Sequence, residues 1–159
     1  MKTYHNFFNP RQMTLSPGGD VLYCTAMGNL LVVFDLERDS ILTVNETNQL
    51  GTLALSPNGE YLYITDPGRY MIPEPVPSGQ VSIFQTSTNS YIGYIDVNKA
   101  SGEAYTITDR IILAPDGNTA YVSGWLDAVF VLDLQFQEVT EIINLYPCFP
   151  VPMTLGLKQ

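Results

Sequence analysis

Apolar and polar positions along this chain alternate in short runs, broken by clusters of Gly, Pro, Asn, Asp and Ser. The runs are rich in Val, Ile, Leu, Tyr and Phe, and none shows a helical period. They predict twelve strands in three sets of four. The first set is 12–15, 21–26, 30–35 and 41–46. The second is 52–55, 61–65, 80–85 and 90–96. The third is 110–113, 119–123, 128–133 and 138–144.

The three sets share one text. "LSPGGDVLYCT" (15–25), "LSPNGEYLYIT" (55–65) and "LAPDGNTAYVS" (113–123) each read as a β-hairpin. Pro presets φ at the first turn position, and Gly, Asn or Asp suits the next. The final Gly supplies the positive φ that turns the chain back antiparallel. A Tyr follows seven residues after the first turn residue in each copy, at Tyr23, Tyr63 and Tyr121. Thr or Ser stands two residues later, at Thr25, Thr65 and Ser123. Asp35 and Asp133 each close a third strand twelve residues after the Tyr, whereas the matching Gln85 comes ten residues late.

Four antiparallel strands per repeat of about 40 residues is the pattern of a β-propeller blade. The copy "SPNGEYLYIT…GQVSIFQTSTNSYIGYIDV", with Tyr121-Val122-Ser123, resembles the YVTN-type propeller repeat. It is also similar to lactonase-like propellers, which share the Ser-Pro-x-Gly hairpin. The resemblance runs from about residue 12 to 155. Ala26, Asp66 and Gly124 replace the Asn of the family tetrapeptide, so no role tied to that Asn carries over. The expected fold is all-β: a single partial propeller domain over 1–159, with blades at 12–46, 52–96 and 110–144. Residues 2–8 and 152–157 read as terminal strands of unfinished blades, because Met153-Thr154-Leu155 repeats Met13-Thr14-Leu15. Stacked units need neighbours to bury both faces. The expectation is therefore self-association, or another chain that completes the propeller. A truncated gene is the competing explanation.

Repeat spacing locates the candidate site. Ser16 to Ser56 is 40 residues and Ser56 to Ala114 is 58, leaving 18 extra. Ten of these lie between the second and third strands of the middle blade, and eight follow its third strand. In an up-and-down blade both insertions emerge on the same face. Long loops on a rigid scaffold commonly carry recognition. Segment 66–79 holds four prolines and offers Arg69, Tyr70, Met71 and Glu74. Segment 97–109 adds Glu103 and Tyr105, and the third blade adds Trp125 and Asp127. Aromatics beside a few charges are the material of binding hot spots. The competing reading is that Tyr70, Met71 and Trp125 cap the blades over a satellite core.

Composition narrows the function. A net charge of −9 repels phosphate backbones and argues against a nucleic-acid partner. No run approaches a membrane span, and "MKTYHNFFNP" does not read as a secretory signal, although the resembled families are often exported. Cys24 and Cys148 match no metal spacing. His5 is the single histidine, which leaves no nucleophile–histidine set. Asp66, Glu74, Glu103, Asp109 and Asp127 share the decorated face without a cation-loop spacing. The residues imply no cofactor and no catalytic group. They point to a non-catalytic binding or assembly subunit with a protein or small-molecule ligand on the loop face. The alternative is part of a propeller enzyme, lactonase-like or akin to the propeller subunit of an amine dehydrogenase.

Overall fold

The computed structural model describes residues 9–27, 29–46, 51–66, 79–101, 108–124 and 128–145. Three four-stranded antiparallel sheets hold nearly all of their regular secondary structure. Blade one is β1 (Pro10–Leu15), β2 (Val21–Ala26), β3 (Leu30–Asp35) and β4 (Ser40–Glu46). Blade two is β5 (Leu53–Leu55), β6 (Tyr61–Asp66), β7 (Gln80–Gln85) and β8 (Ser90–Asp96). Blade three is β9 (Thr108–Leu113), β10 (Thr119–Gly124), β11 (Ala128–Asp133) and β12 (Glu138–Asn144). Strands pair in chain order within every blade. The first strands converge, with β5 against both β1 and β9, while β8 meets β12 at the rim. This is the geometry of a propeller sector. The only helix among the described residues, α1 (Asn98–Ser101), is one turn in the loop leaving blade two. The terminal segments 2–8 and 152–157 fall outside the described residues.

The repeated hairpin has one geometry. Gly19, Gly59 and Gly117 sit at φ 74, 75 and 72°. Each donates its N–H to the residue three before it, Ser16, Ser56 and Ala114 respectively. The Ser16 and Ser56 hydroxyls also accept the N–H that opens the next strand, from Val21 and Tyr61, both at 2.9 Å. Ala114 has no hydroxyl, and Asp116 Oδ1 accepts Asn118 and Thr119 N–H instead, at 2.8 and 3.2 Å. The turn between third and fourth strands repeats as well. Asp39, Asn89 and Gln137 take positive φ there, and a register shift precedes each.

Strands β1 and β9 begin two residues earlier than the sequence pattern predicts. A register shift in each pair lets Pro10 reach Ala26 and Thr108 reach Gly124. The repeated Thr or Ser takes up the displaced backbone donor. Thr25 Oγ1 accepts Gln12 N–H, Thr65 Oγ1 accepts Thr52 N–H, and Ser123 Oγ accepts Arg110 N–H. The Tyr-x-Thr/Ser text thus encodes how the innermost strand is held.

Apolar side chains fill the spaces between blades. Tyr23, Leu31 and Val33 of blade one meet Leu62, Ile64 and Phe84 of blade two. The other face of blade two, with Tyr63, Val81, Ile83 and Ile95, meets Ile111, Val122, Phe130 and Leu132 of blade three. Each such side chain contributes about 1.5–3 kcal/mol when fully buried. The turns lock the same stack: a Cβ on Gly59 would come within 2.8 Å of Pro17, and one on Gly117 within 3.2 Å of Pro57. Cys24 is buried with a free thiol, which burial pushes up in pKa.

Candidate functional site

The two inserted segments leave the scaffold at one place. Buried Thr108, which opens β9, donates its hydroxyl to Asp66 O at 2.8 Å, and Gln80 O lies at 3.2 Å. Val97 N–H donates to Gly79 O at 2.7 Å. The roots of 66–79 and of 97–109 are therefore bonded to each other. A second polar set braces the junction from below. Thr65 and Thr52 hydroxyls both lie 2.9 Å from Asp109 O, and Ile111 N–H donates to Thr52 Oγ1 at 3.1 Å. Buried hydroxyls placed on backbone carbonyls this way are satisfied and rigid. Asp96 Oδ1 accepts Lys99 N–H at 3.1 Å and fixes the first turn of the second segment.

Every residue that the sequence nominates for binding lies outside the described residues: Arg69, Tyr70, Met71, Glu74, Glu103, Tyr105, Trp125 and Asp127. The structure brings together their anchoring points, not the side chains. Of the carboxylates assigned to that face, Asp66 is buried and Asp109 is exposed beside Arg110, at 3.8 Å. Among the described residues no group of three His, Cys, Asp or Glu could hold a metal. None of the described helices is long and apolar enough to cross a membrane.

Sequence reading passed over two features. The first is Thr108, whose partners lie 42 and 28 residues away. The second is a difference between the two blade interfaces. The Thr86 hydroxyl faces Tyr23 and offsets part of the rise in pKa that burial causes there, and Thr86 Oγ1 donates to Gly59 O at 2.6 Å. In the next repeat Leu134 occupies the place of Thr86, and burial pushes Tyr63 up to about 12. The repeat alignment contains that signal, because Leu36, Thr86 and Leu134 fall in one column.

No family model matches the chain, and no curated relative matches it. Solved structures do. One is described as "Structure of U3-55K", at 12% identity and TM-score 0.71, covering 89% of this chain and 41% of that one. Another is described as "Crystal structure of RRP9 WD40 repeats", at 12% identity and TM-score 0.71, covering 89% of this chain and 40% of that one. The chain thus spans about two fifths of the length of these structures. At such identity the likeness establishes the fold alone: the three sheets are blades of a β-propeller.

Proposed function

We propose that this protein is a non-catalytic binding and assembly module of the propeller type. The observation that carries the reading is the Thr108 junction, which anchors two inserted segments side by side on a braced scaffold. A loop pair rooted in this way loses less entropy on binding than a free one. The segments between the roots supply the recognition surface, with Arg69, Tyr70, Met71, Glu74, Glu103 and Tyr105, next to Trp125 and Asp127. Partners are proteins, in keeping with the propeller fold, and small molecules can occupy the same face.

Assembly draws support from the outward face of blade three. Ile112, Tyr121, Val129, Val131 and Ile143 lie together there, by the pairing of β9 to β12. Val129 and Val131 correspond to Leu31 and Val33 in blade one and to Val81 and Ile83 in blade two, all buried against a neighbour. The occupant that fits is a further blade presenting Leu, Ile and Phe, as Leu62, Ile64 and Phe84 do at the interface between blades one and two. A second copy of this chain or a different propeller chain can provide it. The finer kinship, to YVTN-type and lactonase-like propellers, rests on the repeat text with Tyr121-Val122-Ser123 and on the Ser-Pro-x-Gly hairpin.

The test replaces residues 67–78 with a Gly-Asn turn. A partner cross-linked through 66–79 in the native source is identified and then titrated against both proteins. Affinity is expected to fall at least about tenfold, the scale of one lost hot spot, with cooperative unfolding retained. Equal affinity overturns the reading.

A further inference from the structure

The side of the sector opposite the inserted segments holds the tight turns, and between those of blades two and three lies a cleft of about 270 Å³. Tyr61, Tyr63, Asn58, Asp116, Leu134 and Gln135 line it. In its counterpart between blades one and two the Thr86 hydroxyl faces Tyr23 and bonds Gly59 O. In the second interface Leu134 replaces that threonine, so Tyr63 keeps its place in the repeat and no hydroxyl faces it there. Tyr63 is 4% exposed, and no hydrogen bond contributes to the rise in its pKa, which comes from burial first and then from Tyr61. No polar side-chain atom among the described residues is both buried and unpartnered, so this hydroxyl opens on the cleft, where it can bond a ligand group.

The chemistry of the lining selects that group. No Lys or Arg lines the cleft. Asp116 uses Oδ1 to accept the N–H groups of Asn118 and Thr119, and its other oxygen takes no hydrogen bond from the described residues. The side chains of Asn118 and Gln135 add amide oxygens at the same rim. The Tyr61 and Tyr63 rings, with centroids 6.5 Å apart and tilted by 46°, add π faces. Together these are a carboxylate, several neutral acceptors and two aromatic rings, in a chain of net charge −9. Anions are repelled. A guanidinium, planar and carrying five donors, matches the set: it bonds carboxylates, gives N–H to neutral oxygens and stacks on aromatic rings. The lining and the repeat comparison point in the same direction.

We propose that this cleft binds the arginine side chain of a partner polypeptide, between the turns of blades two and three. The Asp116 carboxylate pairs with the guanidinium, the Tyr63 hydroxyl accepts one N–H, and the Tyr61 ring lies against its plane. This second site is separate from the loop face, so either can fail without the other.

The probes are N-acetyl-arginine amide and, as its uncharged isostere, N-acetyl-citrulline amide. Each is titrated into the full chain while backbone amide shifts of Gly117, Asn118 and Gln135 are followed. The arginine probe is expected to shift these amides, and the citrulline probe to leave them in place. Asp116→Asn keeps the oxygen that holds the turn and removes the charge; it is expected to weaken binding about tenfold. Tyr63→Phe keeps the ring and is expected to weaken it about fivefold. Leu134→Thr places opposite Tyr63 the hydroxyl that Tyr23 faces in the first interface, and is also expected to weaken binding. Native amide dispersion in each variant shows that the fold is intact. Equal response to citrulline, no response to arginine, or undiminished binding in both Asp116→Asn and Tyr63→Phe overturns the proposal.

Discussion

Tyr23, Tyr63 and Tyr121 hold the same place in three repeats, yet the first two are 5% and 4% exposed and the third is 38% exposed. The same contrast runs through their neighbours. Ala54 beside Tyr63 is packed into the core, whereas Ile112 beside Tyr121 is 66% exposed. Local structure is not what differs, since all three tyrosines lie in second strands of regular antiparallel pairs. What differs is whether another blade stands opposite. One blade is thus an amphipathic unit with two apolar faces, and its energy depends on how many of them are covered. Blade two has both covered; the outward face of blade three has no described neighbour.

That contrast can be broken most forcefully from the inside. Phe130 and Val131 are consecutive in β11 and point to opposite faces, one buried against blade two and one on the open side. Phe130→Ala is expected to cost about 3–5 kcal/mol through the cavity it leaves. Val131→Ala is expected to cost about 1 kcal/mol or less. Urea denaturation of both variants checks the difference, and equal losses would mean that the open face is closed in solution.

Alkaline pH is the next lever. Burial raises Tyr63 from 10.0 to about 12. Below pH 10 its phenol is neutral in both folded and unfolded chains. Between pH 10 and 12 the unfolded chain releases the proton and the folded chain retains it, so stability falls as pH rises. The whole contribution is about 3 kcal/mol, at about 1.4 kcal/mol per pH unit. Tyr63→Phe should flatten the pH dependence of unfolding in this window, while Tyr121→Phe should change it less.

The hairpin glycines sharpen the comparison at smaller scale. Gly19 and Gly59 share φ values of 74 and 75°, but only Gly59 lies against a neighbouring blade, where an added Cβ would come within 2.8 Å of Pro17. Gly19→Ala carries the left-handed backbone cost alone, about 1–2 kcal/mol. Gly59→Ala adds the clash and should lose about 1 kcal/mol more. Thermal unfolding of the pair measures it, and equal shifts would show that the two turns do not touch.

The smallest expected effect concerns the open face itself. Tyr121→Glu should alter the chain's own stability by less than about 0.5 kcal/mol, as exposed substitutions do. It should also abolish any concentration-dependent rise in mass seen by sedimentation. A large loss of stability would show that this face is already filled within the chain.

Much of the fold was legible because it is written in short-range terms. The Ser-Pro-x-Gly turns, the period-two strands and the fixed Tyr-to-Asp spacing each follow from φ preferences and pleat geometry within a few residues. The strand ends at Pro10 and Thr108 were not legible, since bulges there depend on a hydroxyl across the sheet, from Thr25 in one case and beside Ser123 in the other. The insertions were countable from repeat spacing. Their joint anchoring by Thr108 was not, because the bond crosses from blade three to blade two.

The sequence by itself determined the twelve strands, their grouping in fours and the faces that carry apolar side chains. Those properties come from torsional preference and from the alternation of side chains along an extended chain. Tertiary structure alone decided which apolar face is covered, that two distant loop roots share one threonine, and that Tyr63 faces Leu134 where Tyr23 faces Thr86. Such outcomes depend on what a neighbouring blade places opposite a side chain, and that neighbour lies tens of residues away in the chain.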